Sequence, residues 1–202
     1  MPTDSFSEKH IGHHDVQFDP KRAAVLVIDI VNEFFEPGGK MVLEGGKVLY
    51  EPVNALLDAA HAANVPVFWL NQTLRPEDTL FRKRIPHCIE GTWGAQIADA
   101  MHKSPDDTII AKRRYSGFFQ TDLDLSLREL KVETVIVTGC VTNICVRSTI
   151  NDAFFLGYEC IVPEECVSAT SSEAQAVHLY DIDTHYGIVT NLDKVLPLLQ
   201  AD

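Results

Sequence analysis

The run Ala23-Ala-Val-Leu-Val-Ile-Asp-Ile30 is apolar at almost every position and rich in β-branched residues. A strand that is apolar at consecutive rather than alternate positions must be buried on both faces, as in a parallel sheet covered by helices on both sides. Further strands are predicted over 65–70, 108–111, 134–138 (the strongest), 159–162 and 187–190. Helices are predicted between them over 51–63, 92–101, 122–130, 145–156, 171–180 and 192–199, with Gly157 placed to close the fourth. In the 51–63 segment Val53, Leu56, Leu57 and Ala60 fall on one helical face. Strands alternating with helices predict an α/β fold with a mostly parallel, six-stranded sheet.

A chain of 202 residues fits one well-cored domain, read here as 21–202 behind an N-terminal arm of residues 1–20. His10, His13 and His14 in the arm have no carboxylate or thiol spaced to complete a metal site and read as solvated. The net charge of −12 argues against nucleic acid or an anionic membrane as partner, since both select basic surfaces. No apolar run approaches the roughly 20 residues a bilayer span needs. The first twenty residues carry no apolar signal-like core, so a cytoplasmic location is expected. Cys88, Cys140, Cys145, Cys160 and Cys166 are odd in number with no C-x-x-C pair, which fits reduced thiols better than a disulfide framework.

Ligands of open parallel sheets bind beyond the carboxyl ends of the strands. Asp29, Lys112 and Cys145 all lie at or just past such ends. A helix N-terminus at Cys145 would lower its thiol pKa, and Lys112 would add to that effect. Asp29 is then the candidate general base, Lys112 the charge that keeps Asp29 ionised, and Cys145 the nucleophile. The backbone N–H groups around Val141 and Cys145, at a glycine-led turn, are candidate oxyanion donors. Taken singly, a strand-ending Asp is as often a cap, a Lys more often a solvated charge and a Cys more often a small buried hydrophobe.

Three segments carry a resemblance: Val27-Ile-Asp29-Ile-Val-Asn-Glu-Phe34, Lys112-Arg-Arg-Tyr-Ser-Gly-Phe118 and Thr138-Gly-Cys-Val-Thr-Asn-Ile-Cys145. In this order they resemble the isochorismatase-like cysteine hydrolases over roughly residues 22–195. The resemblance implies a Rossmann-like three-layer α/β/α sandwich and an Asp–Lys–Cys triad at Asp29, Lys112 and Cys145. It also implies a cis peptide at Cys140–Val141 that aims the Val141 and Cys145 N–H groups at the oxyanion, and a homo-oligomer.

Within that family, Cys145 argues against vinyl-ether cleavage and points to amidohydrolases that cut a C–N bond and release ammonia. Nicotinamidases of the family hold a metal through an Asp-x-His pair and later histidines. The matching stretch here, Asn71-Gln-Thr-Leu-Arg-Pro-Glu-Asp78, offers no histidine, and only His87 matches a ligand position. No metal and no other cofactor is therefore expected. Tyr115-Ser-Gly-Phe-Phe-Gln-Thr121, Thr142-Asn143 and Phe154-Phe155 look most like ureidoacrylate and N-carbamoyl amidohydrolases. Arg84, in a basic cluster with Arg82 and Lys83, and Arg113-Arg114 are expected near the pocket, where they would clamp a substrate carboxylate; a solvated rim is the alternative. Phe34, Trp93 and Tyr115 are candidate pocket-wall aromatics, and His87 a further lining residue. The expected function is a cysteine amidohydrolase acting on a small ureido, carbamoyl or amide substrate. A nicotinamidase-type amidase and a non-catalytic binding protein of the same fold are the alternatives.

Overall fold

The computed structural model describes residues 15–200. The arm histidines and the first fourteen residues of the expected arm lie outside them. Seven strands form one sheet: β1 (Ala23–Ile28), β2 (Val67–Gln72), β3 (Thr108–Lys112), β4 (Thr134–Cys140), β5 (Glu159–Pro163), β6 (Val167–Ser168) and β7 (Ile188–Thr190). The order is β3-β2-β1-β4-β5-β7, with β6 pairing the end of β4, and every strand pair is parallel. Two-residue β6 is the strand beyond the six expected, too short for any periodicity to announce it.

Central β1, β2 and β4 are buried at every position, as their continuous apolar runs require. Helices α2 (Tyr50–Ala62) and α6 (Leu192–Leu199) cover one face of the sheet, where Val53, Leu56, Leu57, Val195 and Leu199 join Val25, Val27 and Trp69. Helices α3 (Leu123–Glu129), α4 (Arg147–Leu156) and α5 (Ser172–His185) cover the other, where Leu123, Leu127, Ile150 and Ile182 meet Leu26, Ile28 and Val137. This is the expected α/β/α layering. Gly157, at φ +91°, closes α4 as predicted.

Three local expectations change. A one-turn helix, α1 (Asn32–Phe35), follows β1 and was not predicted. Residues 92–101 contain one tight turn, Trp93–Ala95, instead of a helix. Their backbone pairs with the chain after β1: Ile97 bridges Val31, Asn32 N–H donates to the Gln96 carbonyl, and Ala98 N–H donates to that of Ile30. Cross-chain pairing has replaced helical pairing there, and Gly94 weakens the helix further. Finally, Cys145 is not a residue of α4. It sits in a wide π-type turn, Thr142–Val146, in which the Ile144 and Val146 N–H groups both donate to the Val141 carbonyl.

Candidate active site

Parallel registers bring Ile28 level with Leu70 and with Gly139, and Gln72 level with Lys112, so the three motif segments end at the same sheet edge. Asp29 adopts a left-handed backbone (φ +56°) immediately beyond β1 and is 1 % exposed. Its Oδ1 accepts the Gln72 backbone N–H at 2.6 Å, and its Oδ2 accepts Lys112 Nζ at 2.7 Å. Lys112 ends edge strand β3, where alternation turns Ile110 and Lys112 inward and Ile109 and Ala111 outward. Its ammonium is fully buried and also reaches the Arg114 carbonyl.

Close strand approach at the third motif demands glycine. At Gly139, φ is +107° and a Cβ would stand 2.0 Å from the Ile28 carbonyl oxygen. The peptide from Cys140 to Val141 is cis, as the family resemblance implies. Cys145 follows, 7 % exposed, with its carbonyl accepting Thr149 Oγ1 at 2.8 Å. The same hydroxyl accepts the Gly117 N–H at 3.0 Å, tying the Cys145 turn to the loop after Lys112. Thr149 went unnoticed in the sequence because a threonine inside a helix carries no distinguishing signal.

Electrostatics at the site differ from the expectation of a stable thiolate. Burial pushes the Cys145 thiol above its ordinary pKa; Lys112 pulls it down, but the Asp29 charge and hydrogen bond push it further up. Burial, the largest single influence, works against the Lys112 ammonium as well, yet the Asp29 charge and hydrogen bond together with the neighbouring Cys145 and Cys140 hold the lysine above its usual value. The site therefore sets a thiol raised above its ordinary pKa beside the buried, hydrogen-bonded Asp29–Lys112 pair.

Asp29 and Cys145 open into a cleft of about 450 Å³, lined also by Phe34, Met41, Val42, Leu43, Glu44, Cys140, Val141 and Thr170. Of the expected wall aromatics only Phe34 lines it. Trp93 is 46 % exposed and stands against Gly38, and Tyr115 packs on the core beneath α4. The wall is instead residues 41–44, a loop with no sequence periodicity to mark it. Arg84 is exposed and away from the cleft lining. Arg113 and Arg114 do not face the cleft either: Arg113 donates twice to Asp78 Oδ2, at 3.1 and 2.6 Å, and Arg114 to Asp78 Oδ1 at 3.3 Å. Asp78 is buried in the loop after β2, where an unpaired charge would be costly, so it takes those cations itself.

His87 is buried behind the site. Its Nδ1 is 2.7 Å from the Ile85 carbonyl, its Nε2 is 3.1 Å from Gln72 Oε1, and its ring packs near Phe34 and Phe81. Both ring nitrogens therefore face protein oxygens at hydrogen-bond distance, and His87 does not line the cleft. Among the described residues no cluster of three or more His, Cys, Asp or Glu side chains could hold an ion. The donor set thus does not fit the metal of the nicotinamidase branch. All five cysteines are free thiols.

Residues 23–194 match the isochorismatase domain family. The chain belongs to that family. Among solved structures it is similar to a cysteine hydrolase from Pseudomonas syringae pv. phaseolicola 1448A, at 28% identity over 94% of this chain and 99% of that one (TM-score 0.86). It is also similar to N-carbamoylsarcosine amidase from Thermoplasma acidophilum, at 29% identity over 85% and 97% of the two chains (TM-score 0.79). A third similar structure is the pyrazinamidase/nicotinamidase of Streptococcus mutans UA159, at 27% identity over 83% and 99% (TM-score 0.79). The protein is accordingly an isochorismatase-family hydrolase, and no helix among the described residues is long and apolar enough to cross a membrane.

Proposed function

We propose that this hydrolase is a cysteine amidohydrolase that cleaves the C–N bond of a small amide or ureide through an acyl-enzyme. The observation that carries the reading is the buried Asp29–Lys112 pair, 2.7 Å apart, whose Asp29 lines the same cleft as Cys145. Asp29 takes the thiol proton as Cys145 Sγ attacks the carbonyl carbon, so thiolate forms only with the bond it makes. The Val141 and Cys145 N–H groups are the proposed donors to the oxyanion. Collapse of the tetrahedral adduct breaks the C–N bond, and Asp29 returns the proton to the nitrogen, which leaves as ammonia. Asp29 then accepts a proton from water, whose oxygen attacks the thioester carbonyl; the C–S bond breaks and the proton goes back to sulfur. Lys112 keeps Asp29 ionised at the start of each half and offsets the negative charge of the intermediates.

A thiol held protonated until it reacts suits this sequence, because its base lines the same cleft before substrate arrives. The similarity to an N-carbamoylsarcosine amidase and to a pyrazinamidase/nicotinamidase supports an amide or ureide as the bond broken. The test is ammonia release across primary amides, nicotinamide, ureidoacrylate, N-carbamoyl amino acids and alkyl ureas, by wild type and by Cys145→Ala. The variant should keep its circular dichroism spectrum and lose turnover by at least about a thousandfold. An active Cys145→Ala protein would sink the mechanism.

A further inference from the structure

We infer that the cleft takes an amide or ureide whose body is apolar and whose far end is a cationic amine, with Glu44 as the residue that selects it. The reacting end of that substrate rests on the amidohydrolase reading above; the far end is read from the walls of the cleft. Phe34, Met41, Val42, Leu43 and Val141 make most of those walls apolar. Two carboxylates line it, and they are not equivalent. Asp29 is neutralised by Lys112, whereas Glu44 is exposed and makes no ion pair or hydrogen bond among the described residues.

The cleft does not end at Glu44. A second cavity of about 520 Å³ shares Glu44 and Thr170 with it and adds Glu164 and Glu165. These two accept hydrogen bonds from the Asn191 amide, and Glu165 also from the Leu192 N–H, but neither is paired with a lysine or arginine. Gln175 lines the same cavity; its Nε2 donates to the Val167 carbonyl at 3.1 Å, while its Oε1 is buried without a partner. Among the described residues no Lys or Arg lines either cavity. A ligand tail reaching from Cys145 past Glu44 thus meets three carboxylates without a lysine or arginine partner, set among the hydroxyls of Ser168, Thr170, Ser171 and Ser172.

An ammonium finds there what its three N–H donors need. A carboxylate finds neutral hydroxyl donors there but no cation, and three charges of its own sign. Coulomb's law at about 7 Å and an effective dielectric of about 40 makes one such charge worth roughly a tenfold preference. The basic residues that might have reversed the polarity, Arg113 and Arg114, are spent on Asp78. Glu44 is the specificity-determining position because it borders both cavities.

Three ureas of nearly equal length test this: (4-aminobutyl)urea, pentylurea and 5-ureidopentanoate, which end in an ammonium, a methyl and a carboxylate. Binding to the full-length Cys145→Ser protein is measured by titration calorimetry, and ammonia release from the same compounds with wild type. The amine should bind at least about tenfold more tightly than the carboxylate, and Glu44→Gln should cut that ratio about threefold or more. Equal or tighter binding of the carboxylate, binding of none of the three, or a ratio unmoved by Glu44→Gln overturns the inference. The expected binding order without ammonia release supports the charge selection while counting against the amidohydrolase reading, which separates the two.

Discussion

Removing Lys112 alone should be far more damaging than removing Lys112 and the Asp29 charge together. The pair is 2.7 Å apart, with 0 % and 1 % of the side chains exposed. At an effective dielectric of about 20 the gross attraction at that distance is about 6 kcal/mol. Taking both ions from water costs several kcal/mol each, so the net worth of the intact pair is small. Lys112→Met leaves the Asp29 carboxylate buried with only the Gln72 N–H, and should cost about 3–5 kcal/mol. At about 2–4 °C per kcal/mol for a domain of this size, Tm should fall by roughly 6–20 °C. The Asp29→Asn/Lys112→Met double variant keeps the volume and removes both charges. It should recover most of the lost stability while remaining inactive. Urea and thermal melts of wild type, both single variants and the double variant give the coupling energy directly. A coupling below about 1 kcal/mol would mean that the pair is solvated or not ionised in the native state, and the electrostatic account of the site would fall with it.

Three further outcomes follow from the geometry. Alkylation of Cys145 by iodoacetamide, followed by peptide mapping without substrate, should still be accelerating above pH 9. Burial raises its pKa, so the thiolate fraction grows with pH where an ordinary thiol has begun to level off; a plateau near pH 6–7 would contradict that raised pKa. Thr149→Val should lower kcat about tenfold or more with KM little changed, and Thr149→Ser should restore it, because the hydroxyl positions the Cys145 turn against Gly117 at a hydrogen-bond value of about 1 kcal/mol per bond; equal loss in both variants would point to packing alone. Asp78→Asn should lower Tm at pH 7. Although burial opposes it, the Leu80 N–H and the Arg113 and Arg114 guanidiniums hold the Asp78 carboxyl below its usual value, so its stabilisation is present above about pH 4 and fades as the folded group protonates. The gap between variant and wild type should therefore close as the pH falls below about 4, and a constant gap would argue against the ion pairs as its source.

Much of the site was legible in the chain because its side chains sit where strands end. Asp29, Lys112 and Cys145 each follow an apolar run, and an open parallel sheet collects such positions on one edge. The pocket was less legible. Trp93, Tyr115, His87 and Arg84 have the chemistry of lining residues, but a residue type does not say which way a loop turns. Residues 41–44 form the wall through a loop held by Glu33. One oxygen of its buried carboxylate accepts the Lys40 N–H, the other accepts the Cys88 N–H, and its carbonyl takes the Met41 N–H. No periodicity encodes that convergence.

The sequence by itself determined the layers of the fold, the sheet edge on which Asp29 and Lys112 meet, and the family. Continuous apolar strands have one low-energy arrangement, and that arrangement brings their ends together. Only the tertiary structure decided the surroundings of the Cys145 thiol and the polarity of the cleft. A thiol's pKa follows from its burial and from the charges within a few ångströms, and Cys145 is enclosed beside an anion as well as a cation. The arginines near Lys112 in sequence turn to Asp78, and Glu44, distant from every motif, faces the space they were expected to fill.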